Sequence, residues 1–125
     1  MATVNPVYNN TIEDQDRSVK VLSWTLTTAD NDGAWAELPS FGIQTWQAVG
    51  AAWGTATLAL EGSNDGINPF PLTRINPGTP VTFTANGGVS TNENPRYVRP
   101  RLTTPGTGAI ITTSLVAIRA TPVRT

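Results

Sequence analysis

Short apolar and polar alternations, each cut by glycine, proline or asparagine, limit what this chain can fold into more than any other feature. In "SVKVLSWTLTTA" Leu22, Trp24 and Leu26 fall in one phase, and Val21, Ser23 and Thr25 in the other. A period of two places the two sets on opposite faces of a half-buried strand. "DNDG" at 30–33 then reads as a turn, since Asn, Asp and Gly accept the backbone angles a chain reversal needs.

The same reasoning gives further strands. "AWAEL" before Pro39 is a short candidate, and "FGIQTWQAVGAAW" is a longer one, with Phe41, Ile43 and Val49 in one phase and Trp46 in the other. "GTATLALEG" puts Ala56, Leu58 and Leu60 inward and Thr55, Thr57 and Glu61 outward. After the turn "SNDG", the segment "PFPLTRI" can return beside it as an edge strand, because its two prolines lack ladder donors. "PVTFTA" carries Val81 and Phe83 in phase; "AIITTSLVAIRA" carries Ile110, Val116 and Ile118, with Thr112 and Ser114 between. "RYVRPRLTT" sets Val98, Pro100 and Leu102 against Tyr97, Arg99 and Arg101, and Pro100 implies an edge or a bulge. Seven or eight such strands predict an all-β domain, an antiparallel β-sandwich or jelly roll. Residues 1–17 show no period and read as an extended N-terminal arm, leaving 18–125 as the single sandwich domain.

Composition narrows the function classes. With a net charge of −1 there is no basic field to collect phosphates, so nucleic acid is not an expected partner. No run of eighteen apolar residues occurs, and the N-terminus lacks a basic segment followed by an apolar one, so neither a membrane partner nor Sec-type export is expected. The chain has no His and no Cys, which removes imidazole bases, thiol nucleophiles and nitrogen or sulfur metal ligands. Its acids lie mostly in the arm and in turns, and "DNDG" lacks the further acids of a calcium loop. The expectation is a non-enzyme with no cofactor, no metal and no catalytic residues.

Contact residues are then the interesting ones. Trp24 shares a phase with Leu22 and Leu26 and reads as core, whereas Trp35, Trp46 and Trp53 have small or polar neighbours and are open to a contact role. Arg96, Tyr97, Arg99 and Arg101 form a candidate interface row, since Arg and Tyr are enriched at interfaces and Lys is not.

The order "TLALEGSNDG", "PFPLT", "VTFTANGG", "NPRYVRPRLTTPGTGAIITTSLV" resembles small β-sandwich proteins that decorate or cement the capsids of tailed bacteriophages, over roughly residues 19–120. These are strand and turn patterns without a chemical signature. The resemblance implies a structural protein on the outer capsid surface, made in the host cytoplasm, that bridges neighbouring copies of a major capsid protein. It also implies a homo-oligomer, a trimer ahead of a dimer. The arm, with Val7, Tyr8 and Ile12, is expected on a neighbouring subunit, its alternative being to pack back on its own domain. Trp46 joins the arm residues and the Arg/Tyr row as an expected contact residue. Competing functions are a carbohydrate-binding module of a virion surface protein, with Trp35, Trp46 or Trp53 as stacking platform, and a tail or head-to-tail connector component.

Overall fold

Two sheets pack face to face in the computed structural model, which describes residues 3–8, 19–38 and 41–119. The strands in chain order are β1 (Thr3–Val4), β2 (Val7–Tyr8), β3 (Val19–Thr27), β4 (Asp32–Gly33), β5 (Ala36–Glu37), β6 (Phe41–Ala52), β7 (Thr57–Ser63), β8 (Phe70–Pro71), β9 (Thr82–Phe83), β10 (Gly87–Ser90), β11 (Tyr97–Thr104) and β12 (Ile110–Arg119). One sheet runs β1-β4-β11-β7-β8, with β5 also on β11 and β9 also on β7; the other runs β10-β6-β12-β3-β2. All pairings are antiparallel except β1 with β4. This is the predicted all-β sandwich.

The core lies between the inner faces. Leu58, Leu60, Val98 and Leu102 come from the first sheet, and Leu22, Trp24, Trp46 and Leu115 from the second. The indoles of Trp24 and Trp46 stack with centroids 5.8 Å apart and planes 16° off parallel. Trp46 is thus a core residue, fully buried, and this corrects its assignment as a contact residue. The reason is phase: the inward positions of β6 are Gln44, Trp46 and Ala48, so Ile43 and Val49 point outward. On β12 the inward set is Ile111, Thr113, Leu115 and Ala117, which turns Ile110, Val116 and Ile118 to the outer surface.

Pro100 sits inside the first sheet rather than at its edge, opposite Leu60 of β7, and the strand does carry an irregularity, a register shift between Leu102 and Thr104. Its other side faces β4 and β5, which together flank β11 only in pieces. Leu102 N donates to Asn31 O on that side, so the nitrogen of Pro100, two residues earlier, faces Gly33, the last residue of β4, where the ladder ends. Gly33 permits the close approach, because a Cβ there would stand 2.7 Å from Pro100 Cδ. Pro71, in contrast, does lie on an edge strand as expected.

The described part of the arm lies on its own domain. Thr3 and Val4 pair with Asp32 and Gly33 in the first sheet, and Val7 and Tyr8 pair with Ser23 and Leu22 in the second. Ala34 N donates to Val4 O at 2.7 Å, and Val4 packs on the core. Residues 3–8 therefore cross the open side of the sandwich and tie one sheet to the other. Ile12 lies outside the described residues.

Candidate interaction surface

The outward face of the first sheet is built on β11. Alternation turns Tyr97, Arg99 and Arg101 to the surface while Val98, Pro100 and Leu102 enter the core, as the sequence predicts. Register then supplies what the sequence does not show. Glu61 of β7 stands directly opposite Arg99, and its Oε1 accepts from Arg99 Nε at 2.9 Å with Arg99 Nη2 also 2.9 Å away. The other oxygen of the same carboxylate, Oε2, accepts from Arg101 Nη1 at 3.3 Å. On the far side of β11, Arg101 Nε lies 3.2 Å from Asp32 Oδ1, an ion-pair contact. At the start of the strand, Arg96 Nη2 meets Glu37 Oε2 at 2.7 Å. Glu37 raises the Arg96 pKa above its ordinary value by holding the guanidinium in that hydrogen bond.

Each arginine of the row thus has a carboxylate: Glu37 for Arg96, Glu61 for Arg99, and Glu61 with Asp32 for Arg101. The row is a neutralised ladder and no positive stripe. Shielding differs along it, with the Arg99 and Glu61 side chains only 18% and 12% exposed and those of Arg96 and Glu37 56% and 48%. Inner members are held in one geometry, and outer members remain solvated.

Aromatic groups complete this face. Trp35, in the link between β4 and β5, takes the Arg99 guanidinium over its ring at 4.2 Å, close enough for cation–π attraction. The Tyr97 ring lies 6.4 Å from Trp35, tilted by 59°, and Arg96 lies 5.4 Å over Tyr97. Arg96, Tyr97, Arg99 and Arg101 are therefore brought together as expected, and Trp35, Glu37, Glu61 and Asp32 join them. The outward phase of Glu61 is visible in "TLALEG", but its partner is set by a pairing nearly forty residues away along the chain. Val7 and Tyr8 are exposed but belong to the edge of the other sheet, where Lys20 Nζ lies 5.9 Å over the Tyr8 ring.

The turn after β7 borders the same face. Asn64 Oδ1 accepts from Arg96 N at 3.2 Å, and the space beside Gly66 is lined by the Tyr97 ring. Gly66 has φ of 73°, which explains glycine there. Asp65 organises the turn: its Oδ1 accepts from the amides of Asn68 and Ile67 and from Ser63 Oγ, each at 2.8 Å, and its Oδ2 from Asn68 Nδ2. These bonds, the Asn68 amide first, hold the Asp65 pKa far below the ordinary carboxylate range. A lowered folded-state value means that this contribution to stability is complete above the unfolded pKa and is lost only as pH falls through the lowered one. Asp65→Ala is expected to speed hydrogen exchange of the Ile67 and Asn68 amides while leaving the β7 amides protected. In the unaltered chain those two amide resonances should hold their positions through the pH range in which ordinary carboxylates titrate. Movement there would refute the lowered value.

The other tryptophans are committed elsewhere. Trp53 Nε1 donates to Asn86 Oδ1 at 2.8 Å with its ring over Gly50, and Asn86 also accepts from Gly50 N. Trp24 and Trp46 lie in the core and present no ring to a ligand, whereas Trp35 and Trp53 are half-buried, the first with Arg99 over one ring face. Among the described residues no group of three acids is placed to hold a metal ion, and no helix is long and apolar enough to cross a membrane. No protein-family model and no curated protein matches the chain.

Proposed function

We propose that this chain is a virion structural protein that decorates a phage capsid on its outer surface and cements it by bridging neighbouring copies of the major capsid protein. The observation that carries this reading is the Trp35, Tyr97 and Arg99 assembly on the outward face of the first sheet. Trp, Tyr and Arg dominate interface energetics because each offers a large, partly apolar contact area with a polar or charged tip. Here the carboxylate ladder has already fixed the arginine geometry, so little side-chain freedom remains to be lost on docking. The sequence resemblance supplies the partner class. Strength on a shell comes from repetition, since modest contacts multiplied by capsid symmetry hold adjacent subunits together.

The direct test is binding to shells of the encoding phage that lack the protein. Trp35→Ala combined with Tyr97→Ala, both at half-buried surface positions, is expected to weaken shell occupancy by about 30-fold or more. Shells carrying the unaltered protein should resist heat better than shells carrying the variant. Undiminished occupancy by a folded variant would overturn this face as the contact. Truncating the arm is a poorer test than the sequence suggests, because residues 3–8 join the two sheets of the domain itself.

A further inference from the structure

The outward face of the second sheet differs chemically from the first. On β2, β3, β6, β10 and β12, none of the described outward positions carries Asp, Glu, Lys or Arg. Register makes the face continuous. Ile118 of β12 stands between Val19 and Ile43, and Val116 stands between Val21 and Thr45. The next row is polar but uncharged, with Ser114 between Ser23 and Gln47; beyond it Thr112 lies between Thr25 and Val49. Ile43, Val49, Ile110, Val116 and Ile118 are each between 39% and 56% exposed. Five β-branched residues, Val19, Val21, Ile43, Val116 and Ile118, thus form one apolar patch at one end of the face.

We infer that this face packs against the same face of a second copy of the chain, as an isologous two-fold dimer with its axis running along β12. Three observations point to that occupant. The three long strands, of nine, ten and twelve residues, span about 30 Å and about 15 Å across, and the short β2 and β10 add to their edges, giving about 500 Å² of projected face. With side-chain relief added, this approaches the roughly 800 Å² per partner of a standard stable interface. Charge is the second argument. Described outward positions without ionised groups bring no like charges together when they meet their own copy, whereas a charged partner would bury ions against them with no counterpart. Symmetry is the third. β12 is the middle strand of five, so an axis along it lays each row on its own equivalent with β3 over β6: Ile118 and Val116 meet their own copies and Val19 meets Ile43, while Val21 meets Thr45 and Thr25 meets Val49, pairings that bury no charge. Two sheets in this arrangement stack about 10 Å apart, and inclining β12 by about 15° to the axis gives the strand crossing near 30° found between the two sheets of a sandwich. The dimer leaves the Trp35 and Arg99 faces of the two copies pointing in opposite directions, so that one can meet a shell while the other faces away from it. It does not depend on the capsid reading.

Val116 lies beside the axis and faces its own copy. Sedimentation of the full chain across about 1 to 100 µM is expected to give the dimer mass. Val116→Lys should sediment as a monomer, with self-affinity reduced by about 100-fold or more, and Val116→Glu likewise. Mixing the two variants in equal amounts should restore the dimer, because the lysine of one copy then meets the glutamate of the other. Position 116 is a surface position in the monomer, so circular dichroism should show both variants folded. Trp35→Ala with Tyr97→Ala should leave the mass unchanged, which separates this inference from shell binding. A monomeric wild-type chain at the highest concentration, a trimer, or Val116→Lys at the wild-type mass would each overturn the proposal, as would failure of the mixed variants to reassociate.

Discussion

Trp24→Phe is expected to destabilise the protein more than Trp46→Phe, although the two rings are stacked on one another and both are completely buried. Each change removes the same atoms and leaves a similar cavity. The difference lies in the indole nitrogens. Trp24 Nε1 donates to Ala34 O at 3.0 Å, so phenylalanine there leaves a carbonyl without its donor. Trp46 Nε1 has no hydrogen-bond partner among the described residues, so phenylalanine at 46 removes a polar group that the core does not satisfy. The gap between the variants should be about 1–3 kcal/mol, read as a difference in urea midpoint at equal slope. Alanine at either position should cost about 3–5 kcal/mol, a large part of the stability of a domain this size. Equal costs for the two phenylalanine variants would show that the nitrogen of Trp46 is satisfied in solution.

The same pair explains which parts of the fold could be read from the sequence. β3 and β7 alternate strictly, Leu22, Trp24 and Leu26 in one and Leu58 and Leu60 in the other, and their inward phase is unambiguous. β6 and β12 mislead because two indoles fill so much of the interior. Thr113 pairs across the sheet with Trp24 on one side and Ala48 on the other, and Ala117 is likewise buried, so small residues serve where larger ones are expected. The displaced isoleucines and valines then stand outside, on the uncharged face. Burial alone would place them in the core, so their exposure is a conflict between local pattern and fold of the kind that marks a functional surface. β1, β2, β4 and β10 are two to four residues long and carry no period; distant partners alone define them. The outward phase of Tyr97, Arg99 and Arg101 is local and legible, whereas their carboxylates depend on sheet register.

Glu61→Gln should therefore do what no reading of "RYVRPRLTT" alone suggests. Glutamine keeps the shape of the side chain but offers one neutral oxygen where two guanidiniums meet a charged carboxylate. Arg101 retains Asp32, but Arg99 loses its only ion pair among the described residues, in a position with less than a fifth of its side chain exposed. The expected cost is about 1–3 kcal/mol, between that of an exposed pair and that of a fully buried one. Glu37→Gln, which touches the solvated Arg96, should cost far less than Glu61→Gln, so the ladder should be strong in its middle and weak at its end. Adding Arg99→Met to Glu61→Gln should cost less than the sum of the two single changes, because the second removes the charge that the first leaves unpaired. Additive costs would mean that Glu61 and Arg99 do not act as a pair. Because Glu61 also aims Arg99 at the ring of Trp35, Glu61→Gln should raise the mobility of that indole, seen as a broadened or shifted tryptophan side-chain resonance. On the proposed reading, shell affinity should fall with it even though Glu61 itself is mostly covered by the arginines it holds, since a contact surface works only as well as the charges beneath it keep its aromatic and guanidinium groups in place.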